Sequence, residues 1–221
     1  MTPSQPEKLI ERLVADVRPV RPLRRPALRA LVAVTAIALV AALAIVMLGD
    51  VAGLRLRYAG REVLLVLETA AMLATAIVAI TAAFYLSIPG CSKHWVAAPL
   101  PFLMLWLIFS GVGCYGDLIR GGGEGEAGDG MHCLLFILAI SAMLAPWIVW
   151  RLSRALPIEP LPVALLGGLG IAATSAFILQ FFHPFAPTVI DLSMHLVAVL
   201  IVVGVVGLLH RQLLAGQRSG A

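Results

Sequence analysis

The stretch ALRALVAVTAIALVAALAIVML, residues Ala27–Leu48, is apolar throughout except for Arg29 and Thr35. About 20 such residues in a helix cross roughly 30 Å of hydrocarbon. Five later stretches have similar length and character: Glu62–Leu86, Trp95–Tyr115, Met131–Trp150, Leu161–Phe181 and Thr188–Leu209. The sequence therefore predicts an all-α fold, an integral membrane bundle of six transmembrane helices.

The composition supports a membrane protein with little outside the bilayer. Of the 221 residues, 61% are hydrophobic and 13% are charged, well beyond the apolar share of a soluble domain. The connections between the predicted spans are too short for a globular domain. We therefore divide the chain into a segment 1–26, a transmembrane domain 27–210 and a tail 211–221. No cleavable signal is expected, because the polar, Arg-rich N-terminus lacks a small-residue cleavage site.

The basic residues predict the orientation. Twelve Lys and Arg side chains fall on the side that holds the N-terminus, and four fall opposite, namely Arg55, Arg57, Arg61 and Arg120. By the positive-inside rule both termini are expected to be cytoplasmic, as an even number of spans requires. The net charge of +4 thus reflects orientation in the bilayer and does not indicate nucleic-acid binding.

The N-terminal segment has the pattern of a short amphipathic helix. Residues Ser4–Val17 place one apolar stripe at helical spacing. The stripe consists of Leu9, Ile10, Leu13, Val14 and Val17. The Arg-Pro run Arg18–Pro26 then forms an extended basic connector. Two interpretations of the helix remain open, an interfacial anchor and a binding element for a protein partner.

Six side chains that could carry chemistry fall near the opposite, outer face. They are Cys114, His132, Cys133, His183, Asp191 and His195. Thiolate and imidazole bind soft or borderline metal ions, and thiols are also modified by oxidants. The group therefore predicts a site that reports on metals or oxidants arriving from outside. A transition-metal ion would be the signal, and no cofactor is required.

Each member also has a structural interpretation. Cys133 could be a buried small hydrophobic residue, although His132 beside it and the predicted start of a helix favour a reactive thiol. Cys114 could serve packing or form a disulfide with Cys133. His183 could be an ordinary turn residue. Asp191 and His195 share one helical face, and ionisable groups inside a span are functional candidates.

Glu68 lies inside the second predicted span. It is either a protonated carboxyl group bonded to a neighbour such as Thr69 or a partner for His195. Motifs typical of enzymes are absent from the sequence, including Cys-x-x-Cys, His-Glu-x-x-His and Gly-x-Ser-x-Gly. Ser110-Gly111 with His195 matches an intramembrane serine protease too incompletely to count. The protein is not expected to be an enzyme.

Several short motifs together resemble one family. They are Ala15–Arg21, Pro26–Arg29, Ser87–Gly90, Cys133–Ile137, and the Pro184 turn followed by His195. The chain resembles the six-span anti-sigma factors of the NrsF type, which negatively regulate an extracytoplasmic-function (ECF) sigma factor of the sigma F group. The likeness covers nearly the whole chain.

The resemblance implies a location in the bacterial inner membrane and a mechanism. The cytoplasmic N-terminal segment would hold the sigma factor inactive, and two outward-facing cysteines would release it under heavy-metal or related stress. Cys133 matches the first of these cysteines. His183 stands where the family usually has the second, before the Pro of the last outer turn. A disulfide between these two positions is therefore excluded, whereas a thiolate-imidazole metal site and a Cys133–Cys114 pair both remain open.

The leading interpretation is thus a membrane anti-sigma factor whose partners are an ECF sigma factor and the lipid bilayer. The alternative is a metal- or haem-binding membrane protein that uses His132, His183 and His195 and has no sigma partner. A transporter is less well supported, because the inner half of the predicted bundle lacks a polar path and no internal repeat is evident.

Overall fold

A computed structural model describes residues 5–15, 23–49, 55, 62–119, 127–155, 157–182 and 189–219. Within these residues the chain forms helices and no strands. The helices are α1 (Gln5–Ala15), α2 (Pro26–Leu48), α3 (Glu62–Leu86), α4 (His94–Ala97), α5 (Leu100–Ile119), α6 (Ala127–Ser153), α7 (Pro160–Leu179) and α8 (Val189–Ser219). The predicted all-α class is confirmed.

Five stretches are long and apolar enough to span a membrane. They are Pro26–Met47, Val63–Leu86, His94–Gly116, Met131–Ser153 and Pro160–Leu179. A shorter apolar stretch, Ser193–Leu209, lies within α8 at the place of the sixth predicted span. The protein is thus a multi-pass membrane protein of the predicted kind, and the count of six spans is approximate.

Some predicted boundaries differ from those observed. The third span is divided into α4 and α5 at Pro99 and Pro101. Ala98 keeps helical backbone angles, and the helical hydrogen bonds are interrupted because proline has no N–H group to donate. Helix α6 begins at Ala127, four residues before the apolar stretch, which starts at Met131 as predicted. Helix α8 continues to Ser219 without a break at residue 210.

Helix α7 lies at the centre of the bundle and packs against α3, α6 and α8. In the most apolar part of α7, 72% of the residues are buried, whereas in the corresponding part of α2 only 22% are buried. Small side chains permit the close contact: a Cβ atom on Gly168 would lie 2.8 Å from the Cα atom of Val203, and one on Gly170 would lie 3.1 Å from the backbone nitrogen of Ile80. Close approach of backbones through small residues is typical of membrane helices.

The apolar core consists of two clusters at opposite ends of α7. We call one end the N-terminal face, where α2 and α7 begin and α3 and α6 end. Its cluster includes Ala30, Phe84, Leu152, Val163 and Val206. We call the other end the far face, and its cluster includes Met72, Trp106, Cys133, Ala176 and Leu179. Chemically distinctive side chains occur at both faces.

Candidate functional site

Cys133 lies in the far-face cluster. Only 1% of its surface is exposed, and Ile137 one helical turn later is equally buried. Because α6 begins at Ala127, Cys133 stands in the second turn of the helix and not at its first residues. The expectation that Cys133 sits at a helix N-terminus is therefore wrong, since the electrostatic effect of a helix end falls off within the first turn.

The other predicted sensing residues differ in how far their side chains are exposed. Cys114 on α5 is buried, His132 is exposed, and His195 on α8 is half-buried. Asp191 belongs to α8, but its side chain is not described, and His183 lies outside the described residues. Within the described part of the chain, no group of three or more His, Cys, Asp or Glu side chains is placed to hold a metal ion. The metal site through His183 stays a prediction.

Glu68 links two helices near the far face. Its side chain is 3% exposed, and its Oε1 atom accepts a hydrogen bond of 2.6 Å from the Ser110 hydroxyl on α5. The hydroxyl of neighbouring Thr69 donates to the backbone carbonyl of Leu65. Buried carboxyl groups require such partners. Ser110 therefore serves to pair Glu68 with α5, which sequence reasoning did not anticipate.

The side chains of α1 whose burial is described are all exposed, and those of the predicted apolar stripe are among them. Leu9, Ile10, Leu13 and Val14 are between 59% and 66% exposed, and Val17 lies outside the described residues. The helix contains 11 residues, a length at which isolated helices are marginal in water. An exposed apolar stripe on so short a helix can bind a groove on another protein.

The N-terminal face contains a hydrogen-bonded arginine that sequence reasoning counted only as an orientation charge. Arg29 is 7% exposed. Its Nη1 atom donates to the Ser87 hydroxyl at 3.3 Å, and its Nη2 atom donates to the backbone carbonyl of Arg151 at 3.0 Å. The guanidinium also lies 5.2 Å from the centre of the Phe84 ring. Arg29 thereby joins the start of α2 to the ends of α3 and α6.

One sequence signal could have revealed this contact. Arg29 stands inside the first apolar stretch and not before it, and a charged group at that depth needs partners. Ser87, by contrast, precedes Ile88-Pro89-Gly90, a sequence that predicts a turn and does not indicate a hydrogen-bond partner for Arg29. The turn is present, with Gly90 at φ +81°, and the Ser87 hydroxyl also donates to the Phe84 carbonyl at 2.7 Å.

The family comparison agrees with this architecture. The family model described as NrsF, negative regulator of sigma F, matches residues 13–215. The chain belongs to this family. The resemblance inferred from short motifs is confirmed, and the protein is a membrane-spanning negative regulator of a sigma factor. No curated protein and no solved structure shows significant similarity to the chain.

Two features of the described structure are candidates for roles in such a regulator. The match begins at Leu13, within the exposed stripe of α1, and ends in α8. A regulator of a sigma factor needs a surface for that partner, and the stripe on α1 is one that the bundle leaves exposed. The buried thiols at the far face are the candidate receivers of a signal.

Proposed function

We propose that the chain sequesters an ECF sigma factor through residues 1–26 and releases it when a periplasm-facing Cys/His site meets a heavy metal or an oxidant. The observation that carries the proposal is the stripe of Leu9, Ile10, Leu13 and Val14, each more than half exposed on α1. Binding to a groove on the sigma factor would bury this stripe and stabilise the helix.

The charges of α1 favour a protein partner over an interfacial anchor. Helices that lie on membranes are rich in Lys and Arg on their polar face. Residues 1–17 contain only two such side chains, Lys8 and Arg12, and three acidic ones, Glu7, Glu11 and Asp16. A nearly balanced polar face gains little from anionic lipid, whereas it suits a partner with mixed charges.

The orientation that this function needs follows from the basic residues. A sigma factor is cytoplasmic, so the N-terminal face must face the cytoplasm, as the twelve-to-four distribution of Lys and Arg indicates. Alkaline phosphatase fused after Gly123 should then be active, and the same enzyme fused after Arg154 should be inactive. The reverse pattern would place Cys133 in a reducing compartment and contradict the proposal.

The burial of Cys133 suggests how the signal acts. A thiol within an apolar cluster reaches a metal ion or an oxidant only when the surrounding helix ends separate. The signal would therefore bind the separated packing more tightly than the resting one, and such a difference in affinity shifts the equilibrium between them. His183, with His132 and His195, would supply imidazole ligands, which suit Zn²⁺, Cd²⁺ or Cu⁺ beside a thiolate.

The partner-binding role can be tested on α1. Replacing Leu13 and Val14 by Asp should free the sigma factor, because charged groups cannot enter an apolar groove, and should switch on its target genes. Ala15→Asp is the matched control, since Ala15 is exposed on the same helix but outside the stripe. Reporter activity and co-purification of the sigma factor with membranes measure the effect.

Three results are informative. Release by the Leu13/Val14 variant and retention by Ala15→Asp support the stripe as the binding surface. Equal retention by both would contradict it. Loss of the Leu13/Val14 variant from the membrane, with Ala15→Asp still inserted, would identify α1 as an anchor and refute the partner-binding role.

A further inference from the structure

Beyond the sigma factor and the signal, the N-terminal face contains three arginines near one another. Arg29 donates a hydrogen bond of 3.0 Å to the backbone carbonyl of Arg151, and Arg154 follows three positions later in the chain. The positive charges of Arg151 and Arg154 both repel that of Arg29. No carboxylate pairs with any of the three among the described residues. Glu159, the acidic residue at this face, is bonded to Lys93 at 2.8 Å. Like charges held together in a partly buried place are unfavourable unless an anion offsets them.

The side chains of Arg151 and Arg154 each lie beside a tryptophan ring. The Arg151 guanidinium lies 5.6 Å from the centre of the Trp147 ring, and that of Arg154 lies 4.9 Å from the centre of the Trp150 ring. Each tryptophan stands four positions before its arginine, about one helical turn away. Tryptophans near helix ends lie at the level of lipid headgroups.

This arrangement has the features of a phosphate site. Stacking on a ring holds a guanidinium plane in place and leaves its N–H edge available, and that edge matches the oxygen atoms of a phosphate. Arg154 and Trp150 are exposed, and Arg151 is half-buried, so a headgroup can reach them. Arg29 donates two hydrogen bonds within the protein. Its charge adds positive electrostatic potential beside Arg151 and Arg154.

We propose that Arg151 and Arg154, backed by Arg29, bind the phosphate of an anionic phospholipid at the N-terminal face. The occupant is a lipid and not free phosphate, because the charges lie beside tryptophans at headgroup depth. The negative charge of the bound phosphate would offset part of the repulsion among the three arginines at the junction of α2 and α6. The proposal stands independently of the sigma factor.

The test uses the purified full chain in detergent and native mass spectrometry. Dioleoyl-phosphatidylglycerol should bind more tightly than dioleoyl-phosphatidylcholine. Arg151→Gln with Arg154→Gln should lower that affinity roughly thirtyfold, because each of the two arginines contributes about 1 kcal/mol near an anionic surface. Arg24→Gln with Arg25→Gln is the control. It removes the same charge from exposed positions of this face and should change the affinity less than about twofold.

Three outcomes would overturn the proposal. Equal losses in the two double variants would mean general attraction to a basic surface. Displacement of the lipid by excess sodium phosphate would mean that the anion is not a lipid. Finally, Arg151→Lys with Arg154→Lys keeps both charges but removes the guanidinium edges, so binding as tight as in the unchanged chain would mean that charge alone attracts the lipid and that no guanidinium site exists.

Discussion

The two faces of the bundle are stabilised by different interactions. At the N-terminal face, Arg29 joins three helices through hydrogen bonds to Ser87 and to the carbonyl of Arg151. At the far face, apolar packing surrounds Cys133, and Glu68 with Ser110 supplies a hydrogen bond between α3 and α5. Directional bonds favour one arrangement, whereas apolar packing can adopt alternatives at modest cost. The difference suggests a fixed end beside the proposed partner-binding segment and an adjustable end beside the thiols.

The largest effect on induction is expected at the proposed sensing residues of the adjustable end. Cys133→Ser should abolish induction by Cd²⁺ and by a thiol oxidant, because serine is neither a soft-metal ligand nor oxidised under these conditions. Cys91→Ser is the control, since Cys91 belongs to the N-terminal face. His183→Ala should weaken metal induction, and His183→Cys should retain it.

Reporter activity across a range of metal concentrations distinguishes these variants. A normal response of Cys133→Ser to both metals and oxidants would show that the sensor is elsewhere. Loss of the response in Cys91→Ser alone would move the sensor to the opposite face of the bundle and invalidate the comparison.

The fixed end should be the more sensitive to loss of a single side chain. Arg29→Ala removes two charge-assisted hydrogen bonds and should lower the free energy of unfolding by about 2–4 kcal/mol. Arg24→Ala, an exposed neighbour, should change it by less than about 0.5 kcal/mol. Thermal unfolding in detergent measures both. Equal stability of the two variants would mean that Arg29 does not hold the helices together.

A smaller loss of stability is expected between the two faces, where α7 packs against α8. Gly168→Ala would bring a Cβ atom to 2.8 Å from the Val203 backbone, so we expect a loss of about 1–3 kcal/mol from overpacking. Gly204→Ala is the control, because nothing lies within 4 Å of a Cβ atom there. Unfolding curves of the two variants should separate, and coincident curves would contradict the observed packing.

The smallest effect is expected for the pair at the far face. Ser110→Ala should destabilise the bundle by about 0.5–1.5 kcal/mol, the usual range for a hydrogen bond between membrane helices. A double-mutant cycle with Glu68→Gln measures the interaction energy between Ser110 and Glu68. A coupling as large as the loss caused by Arg29→Ala would mean that the far face is held as firmly as the N-terminal face.

The fold was predictable because its signals are local. Six apolar stretches, the stripe on α1 and the turn Ser87–Gly90 all depend on residues close together in the chain. The break in the third predicted span also has a local cause, because Pro99 and Pro101 lie between α4 and α5 or at the start of α5.

The contacts between helices were not predictable in the same way. Arg29 is 58 positions from Ser87 and 122 from Arg151, and Glu68 is 42 from Ser110. No periodicity identifies partners at such distances, since they depend on which helices meet in the bundle. For the same reason the sequence placed Cys133 near the correct face but did not predict that α6 starts earlier and buries its thiol.

The most direct test of the central claim is photo-crosslinking in living cells. A photoreactive amino acid at position 13 should capture the sigma factor, one at position 15 should not, and the product from position 13 should disappear after Cd²⁺ treatment unless Cys133 is replaced by Ser. That pattern would link the exposed stripe to the buried thiol. A sigma factor captured equally from both positions, or capture that persists during induction, would contradict the account.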